Sequence, residues 1–102
     1  KYVVPDGYPS NPVTGEKIEI GNIDPEVKMY YASIDKKEDG LYLSTSRAIA
    51  FVGIADTIAQ AEKMVESTIG SIRGKVFHRP DIGTQNLIQK RIDHMKRLRP
   101  VD

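Results

Sequence analysis

The sequence predicts a single α+β domain, spanning residues 1–102, in which two helices pack on an antiparallel β-sheet. The first half of the chain consists of short β-prone runs separated by turns rich in proline and glycine. The second half carries two stretches with helical periodicity, separated by a short strand. Strands that come before the helices are typical of an α+β domain, and 102 residues is the length of one such domain.

Three strands are expected in the first third of the chain. Residues 2–4 form a short β-prone run that ends in the turn residues 5–9, and residues 17–20 alternate polar with apolar side chains. Residues 27–35 predict one longer strand with apolar side chains on both faces. The polar residues 36–40 end in Asp-Gly, which predicts a hairpin loop slightly longer than the two-residue minimum.

The next two strands lead to the centre of the predicted sheet. Residues 41–44 form the returning strand of the hairpin. Residues 47–53 open with Arg47 and continue with six uncharged residues, which predicts a central strand covered on both faces.

The first helix is expected to begin at Asp56 and Thr57. Both residues are good N-caps, and Thr57 followed by Gln60 fits a capping box. Gly74 is expected to end the helix. Apolar residues recur at three- and four-residue intervals and predict the face that packs on the sheet: Ile58, Ala61, Val65, Ile69 and Ile72.

A short strand at residues 75–78 and a last helix at residues 84–98 complete the domain, and Pro100 ends that helix. Its expected inner face consists of Leu87, Ile88, Ile92, Met95 and Leu98. Residues 85–102 carry five basic and two acidic side chains. Because the helix lacks interleaved aromatic residues and the chain has a net charge of only +1, we expect a solvated face and no nucleic-acid partner.

Composition excludes several classes of protein. The chain has no cysteine, which excludes disulfides, thiolate catalysis and zinc ribbons and is usual for a cytoplasmic protein. No apolar run approaches the roughly 18 residues of a membrane span, so no membrane partner is expected. The chain starts without methionine and inside a strand, which suggests a fragment of a longer protein.

No catalytic residue and no metal site is predicted. His78 and His94 lie in different elements and have no histidine or cysteine partner at ligand spacing. The familiar glycine-rich phosphate loops and serine elbow motifs are also missing from the sequence. Asp35, Glu38 and Asp39 cluster in the predicted hairpin, where the neighbouring lysines favour a solvated turn over a cation site.

Arg47 is the strongest candidate for a binding residue. At the mouth of an apolar strand, its guanidinium group is suited to hold a phosphate or a carboxylate by two parallel hydrogen bonds. The alternative, of about equal weight, is a structural salt bridge to Asp81 or a nearby glutamate. Arg79 and Asp81 flank a proline, and we expect them to fix the loop through hydrogen bonds to the backbone.

Several segments together resemble the C-terminal domain of phosphoribosylamine-glycine ligase, also called glycinamide ribonucleotide synthetase, an ATP-grasp enzyme. They are Gly7-Tyr8-Pro9, the strand from Arg47 that leads to Asp56-Thr57 and Ala61, and Arg79-Pro80-Asp81-Ile82-Gly83. The resemblance covers nearly the whole chain. Tyr31-Ala32-Ser33-Ile34 replaces the His-Ala-Gly-Thr of many members, and Thr45-Ser46 replaces glycines, so the pattern resembles an archaeal branch of the family.

The resemblance implies a fold and a function. The complete enzyme would use ATP to activate glycine as glycyl phosphate, and the amine of phosphoribosylamine would then displace phosphate to give glycinamide ribonucleotide in purine biosynthesis. ATP and Mg²⁺ would bind the N-terminal and ATP-grasp domains, which this chain lacks, so the fragment alone would bind neither and would be inactive. Arg47 would face the substrate phosphate, whereas Arg79, Asp81 and Gly83 would form a structural signature.

The sequence is also compatible with a second class of function. The chain could be a stand-alone binding or regulatory module that uses the same fold. An exposed apolar patch would favour the ligase domain, because it would indicate a lost domain interface.

Overall fold

The computed structural model describes residues 1–98, which form eight strands and two helices. The strands are β1 (Tyr2–Pro5), β2 (Lys17–Ile20), β3 (Lys28–Tyr31), β4 (Ile34–Lys37), β5 (Gly40–Leu43), β6 (Ile49–Val52), β7 (Ile72–Arg73) and β8 (Val76–Phe77). The helices are α1 (Ile58–Ile69) and α2 (Gln85–Leu98). The predicted end of the last helix at Pro100 lies outside the described residues.

The strands form two antiparallel four-stranded sheets. The first sheet has the order β3-β6-β1-β8 and the second has the order β4-β5-β2-β7. All the pairings are antiparallel, so the predicted α+β class with antiparallel strands and two helices is confirmed. The sequence did not show that the strands divide into two sheets.

The predicted strand at residues 27–35 is wrong as a single element, because the chain bends at Ala32 and Ser33. The amide groups of these two residues donate hydrogen bonds to the carbonyl groups of Ala48 and Arg47, at 2.8 and 2.9 Å. The chain then leaves the first sheet and continues as β4 in the second sheet. The apolar residues on both faces of the segment therefore belong to two strands.

The hairpin loop is shorter than predicted. Lys37 pairs with Gly40, which leaves Glu38 and Asp39 as a two-residue turn. Lys36 and Lys37 belong to β4, which lies at the edge of the second sheet. Charged residues, lysine above all, are common on edge strands because they discourage pairing with a further strand.

Strand β6 is internal in the first sheet, as predicted, because it pairs with both β1 and β3. The prediction that both faces are covered is wrong for residues 1–98. Ile49 and Phe51 are fully buried, whereas Val52 is 40% exposed on the other face. Arg47 is not the first residue of the strand, because β6 begins two residues later at Ile49.

The core lies between the two sheets and helix α1. Its buried apolar residues come from both sheets, from the segments that join them and from α1: Val3, Ile18, Val27, Leu43, Ala48, Ile49, Phe51, Val65 and Ile69. Helix α1 begins as predicted, since the hydroxyl oxygen of Thr57 accepts a hydrogen bond from the amide of Gln60 at 3.2 Å.

The end of α1 and part of its predicted apolar face differ from expectation. The helix ends at Ile69 with Gly70 as its C-cap, four residues before the expected Gly74. Ile72 belongs to β7 and pairs with Ile20 of the second sheet, so pairing with β2 overrides helical periodicity there. Ile58, expected on the inner face, is 61% exposed.

Helix α2 is amphipathic as expected, but its apolar residues are not buried. Ile92, Met95 and Leu98 are 43%, 44% and 65% exposed, so the prediction that they form an inner face is wrong within residues 1–98. The radius of gyration of 16.1 Å exceeds the roughly 13 Å of a compact domain of this length. Both findings indicate that α2 stands away from the core.

Candidate functional site

A groove of about 480 Å³ lies on the outer side of the first sheet, opposite the core. Its lining combines an aromatic and apolar floor with basic side chains: Lys1, Tyr2, Val4, Tyr8, Phe77, His78, Arg79 and Ile82. Apolar walls with a few polar groups are typical of sites for small molecules.

Strand alternation builds the floor of the groove. Val3 and Pro5 of β1 point into the core, so Tyr2 and Val4 point to the opposite side. Val4 pairs directly with Phe77 of β8, and paired residues of antiparallel strands share a face. Tyr8, from the turn after β1, also lines the groove.

Arg47 contacts Tyr2, which lines the groove, but Arg47 does not itself line it. Its guanidinium carbon is 4.7 Å from the centre of the Tyr2 ring, a distance typical of a cation–π contact. The Arg47 side chain is exposed, and within residues 1–98 it forms no ion pair. The alternative of a salt bridge to Asp81 or a glutamate is therefore wrong for the described residues.

Asp81 pairs with Arg79 instead. The Arg79 Nε and Nη2 atoms donate to the two Asp81 carboxylate oxygens at 3.1 and 2.9 Å. These hydrogen bonds lower the pKa of Asp81 and raise the pKa of Arg79. We expected Arg79 and Asp81 to fix the loop through hydrogen bonds to the backbone. Their side chains instead bind each other.

Backbone contacts also shape this loop. The Asp81 carbonyl accepts hydrogen bonds from the Thr84 amide at 3.1 Å and from the Thr84 hydroxyl at 2.6 Å. Gly83 has a φ of +78°, a left-handed conformation in which a side chain would be strained. These contacts fix the loop immediately before α2.

A cluster of charged residues that sequence reasoning missed lies beside the groove. The Lys1 ammonium group, whose side chain is 5% exposed, contacts Glu66 at 2.8 Å and Glu62 at 3.9 Å. Lys1 also donates to the Pro80 carbonyl at 2.9 Å. His78 Nε2 lies 2.9 Å from Glu66 Oε1. The sequence signal was Glu62 and Glu66, four residues apart on one side of α1.

Glu66 is the centre of this cluster. Its partial burial raises the pKa, but the hydrogen bonds from Lys1 and His78 outweigh this effect and hold the pKa below its usual value. Glu66 therefore stays ionised at neutral pH and links α1 to the residue that precedes β1 and to the residue that follows β8. His78, expected to be structural or on the surface, has a structural contact here.

Within residues 1–98, no group of three or more histidines, aspartates or glutamates could hold a metal ion. Asp39 of the hairpin accepts a hydrogen bond from the Tyr42 hydroxyl at 2.6 Å.

Neither helix in the described part of the chain is long and apolar enough to cross a membrane.

Comparisons with known proteins identify the same family that the sequence motifs resemble. Residues 1–85 match the family model of the phosphoribosylglycinamide synthetase C domain. The chain is 52% identical over 99 residues to phosphoribosylamine–glycine ligase of Methanosarcina barkeri, covering 97% of this chain and 23% of the relative. The corresponding enzyme of Methanocaldococcus jannaschii is 47% identical over 104 residues, with coverage of 97% and 23%.

A solved structure supports the fold. The crystal structure of phosphoribosylamine–glycine ligase from Thermotoga maritima matches with a TM-score of 0.65 and 20% sequence identity, over 78% of this chain and 20% of that chain. The chain spans about a quarter of the length of the curated relatives that it matches, so further domains are implied. The chain belongs to the phosphoribosylglycinamide synthetase C domain family.

Proposed function

We propose that the chain is the C-terminal domain of a phosphoribosylamine–glycine ligase and that its groove helps to bind the phosphate of phosphoribosylamine. The complete enzyme joins glycine to 5-phosphoribosylamine with ATP, in the synthesis of purines. This domain supplies part of the substrate site. The identity of 52% to a curated ligase is the observation that carries the proposed activity.

The proposed role of the groove is supported by three segments that are distant in sequence and meet there or beside it. Tyr8, from Gly7-Tyr8-Pro9, and Arg79 and Ile82, from the last loop, line the groove directly. Arg47 stacks on Tyr2, which lines it as well. These segments carry the family resemblance and are far apart in sequence, so their meeting at one surface favours a shared function.

Charge pairing distinguishes Arg47 from the other cations at the groove. Lys1 and His78 contact Glu66, and Arg79 contacts Asp81. Arg47 has no carboxylate partner within residues 1–98, so its guanidinium group is available to an anion. The stacking on Tyr2 restricts the side chain, which lowers the entropic cost of holding a phosphate through two hydrogen bonds.

The remaining parts of the reaction belong to the rest of the polypeptide. Residues 1–98 contain no cluster of metal ligands, so we assign ATP, Mg²⁺ and glycine to the other domains of the complete enzyme. The fragment is inactive alone and binds no such cofactor. The cytoplasm is the proposed location, since the chain has no cysteine and its relatives are metabolic ligases.

The test of Arg47 is Arg47→Ala in the complete ligase. We expect the KM for phosphoribosylamine to rise by about tenfold or more, since a charge-assisted contact is worth roughly 1.5–3 kcal/mol. The KM values for glycine and ATP should stay within about twofold. Steady-state kinetics with each substrate varied in turn provide the measurement.

Two variants serve as controls. Arg73→Ala removes another exposed arginine, from β7 of the second sheet, and should change no KM value. Arg47→Lys keeps the charge but loses the planar fork, so its KM should lie between those of the native enzyme and Arg47→Ala. An unchanged KM for phosphoribosylamine in Arg47→Ala would show that Arg47 does not bind the phosphate.

The alternative hypothesis, a stand-alone module, is tested separately by sequencing the gene upstream of the codon for Lys1. An open reading frame that continues upstream of Lys1 into an ATP-grasp region identifies a ligase domain. A start codon directly before Lys1 would instead identify a separate module.

A further inference from the structure

The groove carries more aromatic surface than the binding of a phosphate requires. It lies on the outer face of the first sheet, the side opposite the core, which consists of Tyr2, Val4, Tyr30, Ala50, Val52 and Phe77. Tyr2 and Phe77 line the groove together with Tyr8. Phosphoribosylamine contains no planar ring that could stack on these three side chains.

The aromatic rings of the groove are accessible to a ligand. Phe77 is 55% exposed and Tyr2 is 45% exposed, whereas Tyr8 is half-buried. Val4 and Ile82 add apolar surface to the lining. Exposed aromatic side chains on a sheet are typical platforms for nucleic-acid bases, because every base has a planar face that stacks on them.

The spacing along the sheet suits a nucleotide. Phe77 lies directly opposite Val4, and Tyr2 is two residues before Val4 on β1. Such diagonal neighbours of an antiparallel pair lie about 7–8 Å apart. The guanidinium carbon of Arg47 is 4.7 Å from the centre of the Tyr2 ring. A cation at Tyr2 and a stacking ring at Phe77 are thus separated on the scale of one ribose, which joins the phosphate and the base of a nucleotide.

Charge pairing gives the same division into an anion contact and a neutral platform. Lys1 and His78 contact Glu66, and Arg79 contacts Asp81. Within residues 1–98, Arg47 contacts no carboxylate. A cation that is available to an anion therefore adjoins an uncharged aromatic floor, which matches a phosphate joined to a planar ring.

We propose that the groove also binds a nucleoside 5′-monophosphate, with its phosphate at Arg47 and its base stacked on Phe77 and Tyr8. This inference rests on the proposed function, because it uses the same phosphate contact. The groove volume of about 480 Å³ lies within the roughly 300–1,000 Å³ of small-molecule sites. A nucleotide in this position excludes phosphoribosylamine and therefore inhibits the complete ligase competitively.

The test compares GMP with ribose 5-phosphate as ligands of the complete ligase. Both compounds contain ribose 5-phosphate, and only GMP has a base. A guanine nucleotide is the probe, because an adenine nucleotide would also occupy the ATP site. Isothermal titration calorimetry should give a Kd for GMP at least about tenfold lower than that for ribose 5-phosphate, the effect expected from stacking of one base. In steady-state kinetics, GMP should raise the KM for phosphoribosylamine without lowering kcat.

Two exposed aromatic residues provide the variant and its matched control. Phe77→Ala should raise the Kd for GMP by about tenfold and leave that for ribose 5-phosphate within about twofold. Tyr30 lies on the same outer face and is 54% exposed but does not line the groove, so Tyr30→Ala should change neither Kd. Urea denaturation confirms that both variants fold.

Three results would overturn the inference. They are equal Kd values for GMP and ribose 5-phosphate, equal losses of GMP affinity in Phe77→Ala and Tyr30→Ala, and inhibition by GMP that is competitive with ATP instead of phosphoribosylamine. None of these results alters the KM response to Arg47→Ala, which tests the proposed function. A failure of the nucleotide site is therefore distinguishable from a failure of the phosphate contact.

Discussion

The outer faces of the two sheets have the same architecture but opposite chemistry. In the first sheet, Tyr2 and Tyr30 flank Ala50. In the second sheet, Lys17 and Asp35 flank Tyr42 in the equivalent arrangement. Two four-stranded antiparallel sheets therefore present one apolar and one charged surface.

The charged surface carries side chains of both signs. Glu19 lies directly opposite Arg73 in the register of β2 and β7. Lys37 lies 4.5 Å above the ring of Tyr42. The second sheet thus has a charged outer surface, whereas the outer surface of the first sheet is apolar and is exposed within residues 1–98.

The largest effect is expected from a change to the inner side of the first sheet. Phe51 is fully buried, so Phe51→Ala should lower the free energy of unfolding by about 3–5 kcal/mol, through lost burial and a cavity. Urea denaturation measures the change. The adjacent Val52→Ala, on the outer face, should cost less than about 1 kcal/mol. Equal losses would contradict the assignment of inner and outer sides.

A smaller effect is expected where ion pairs support each sheet. Glu66→Gln removes the carboxylate that binds Lys1 and His78 beside the first sheet, and should cost about 1 kcal/mol at neutral pH. The matched variant Glu16→Gln removes an exposed pair with Lys75 and should cost about 0.5 kcal/mol or less. Urea denaturation again provides the measurement.

The pH dependence of the Glu66 effect follows from its lowered pKa. A carboxyl group with a pKa below its usual value of 4.5 stabilises the fold above that value. The stabilisation is lost as pH falls through the lowered pKa. The difference between the native chain and Glu66→Gln should therefore be complete at pH 7 and shrink below about pH 4.5. A difference that grew on acidification would refute the role of the ionised carboxylate.

The smallest effect concerns Tyr42 on the charged surface. Its hydrogen bond to Asp39 raises the pKa of Tyr42 above 10.0, so the stabilisation persists at neutral pH and is lost as pH rises through the raised pKa. Ultraviolet titration should show that Tyr42→Phe removes a component that ionises above pH 10. Asp39→Asn should lower the pKa of Tyr42; no change in that variant would exclude the hydrogen bond as the cause.

Much of the fold was predictable because local signals agreed with tertiary packing. The turn that ends β1 begins at Asp6, one residue later than predicted, and Thr57 caps α1 as predicted. The failures occurred where tertiary contacts decided the outcome. Ile72 continued the helical stripe of α1 in sequence but pairs with Ile20. The apolar stripe of α2 predicted a buried face, but within residues 1–98 none of the residues of α2 is buried.

The candidate site was predictable only in part. The chemistry of Arg47 suggested an anion site, and the structure removes the competing salt bridge by pairing Asp81 with Arg79. The role of Arg47 in phosphate binding stays a prediction, as does the structural role of Arg79, Asp81 and Gly83 in the family. Tyr2 and Lys1 could not be linked to the site, because nothing local in a sequence indicates that residue 1 meets residues 51, 66 and 80.

The sequence by itself determined the α+β class, the family and the types of residue that could bind a phosphate. These properties depend on local periodicity, turn chemistry and the functional groups of side chains. Only the tertiary structure decided that the strands form two sheets and that Tyr8 and Arg79 line one groove together with Tyr2, on which Arg47 stacks. It also revealed the contrast between the two outer faces. Pairing between distant strands sets which side chains share a surface, and such pairing depends on packing across the whole chain.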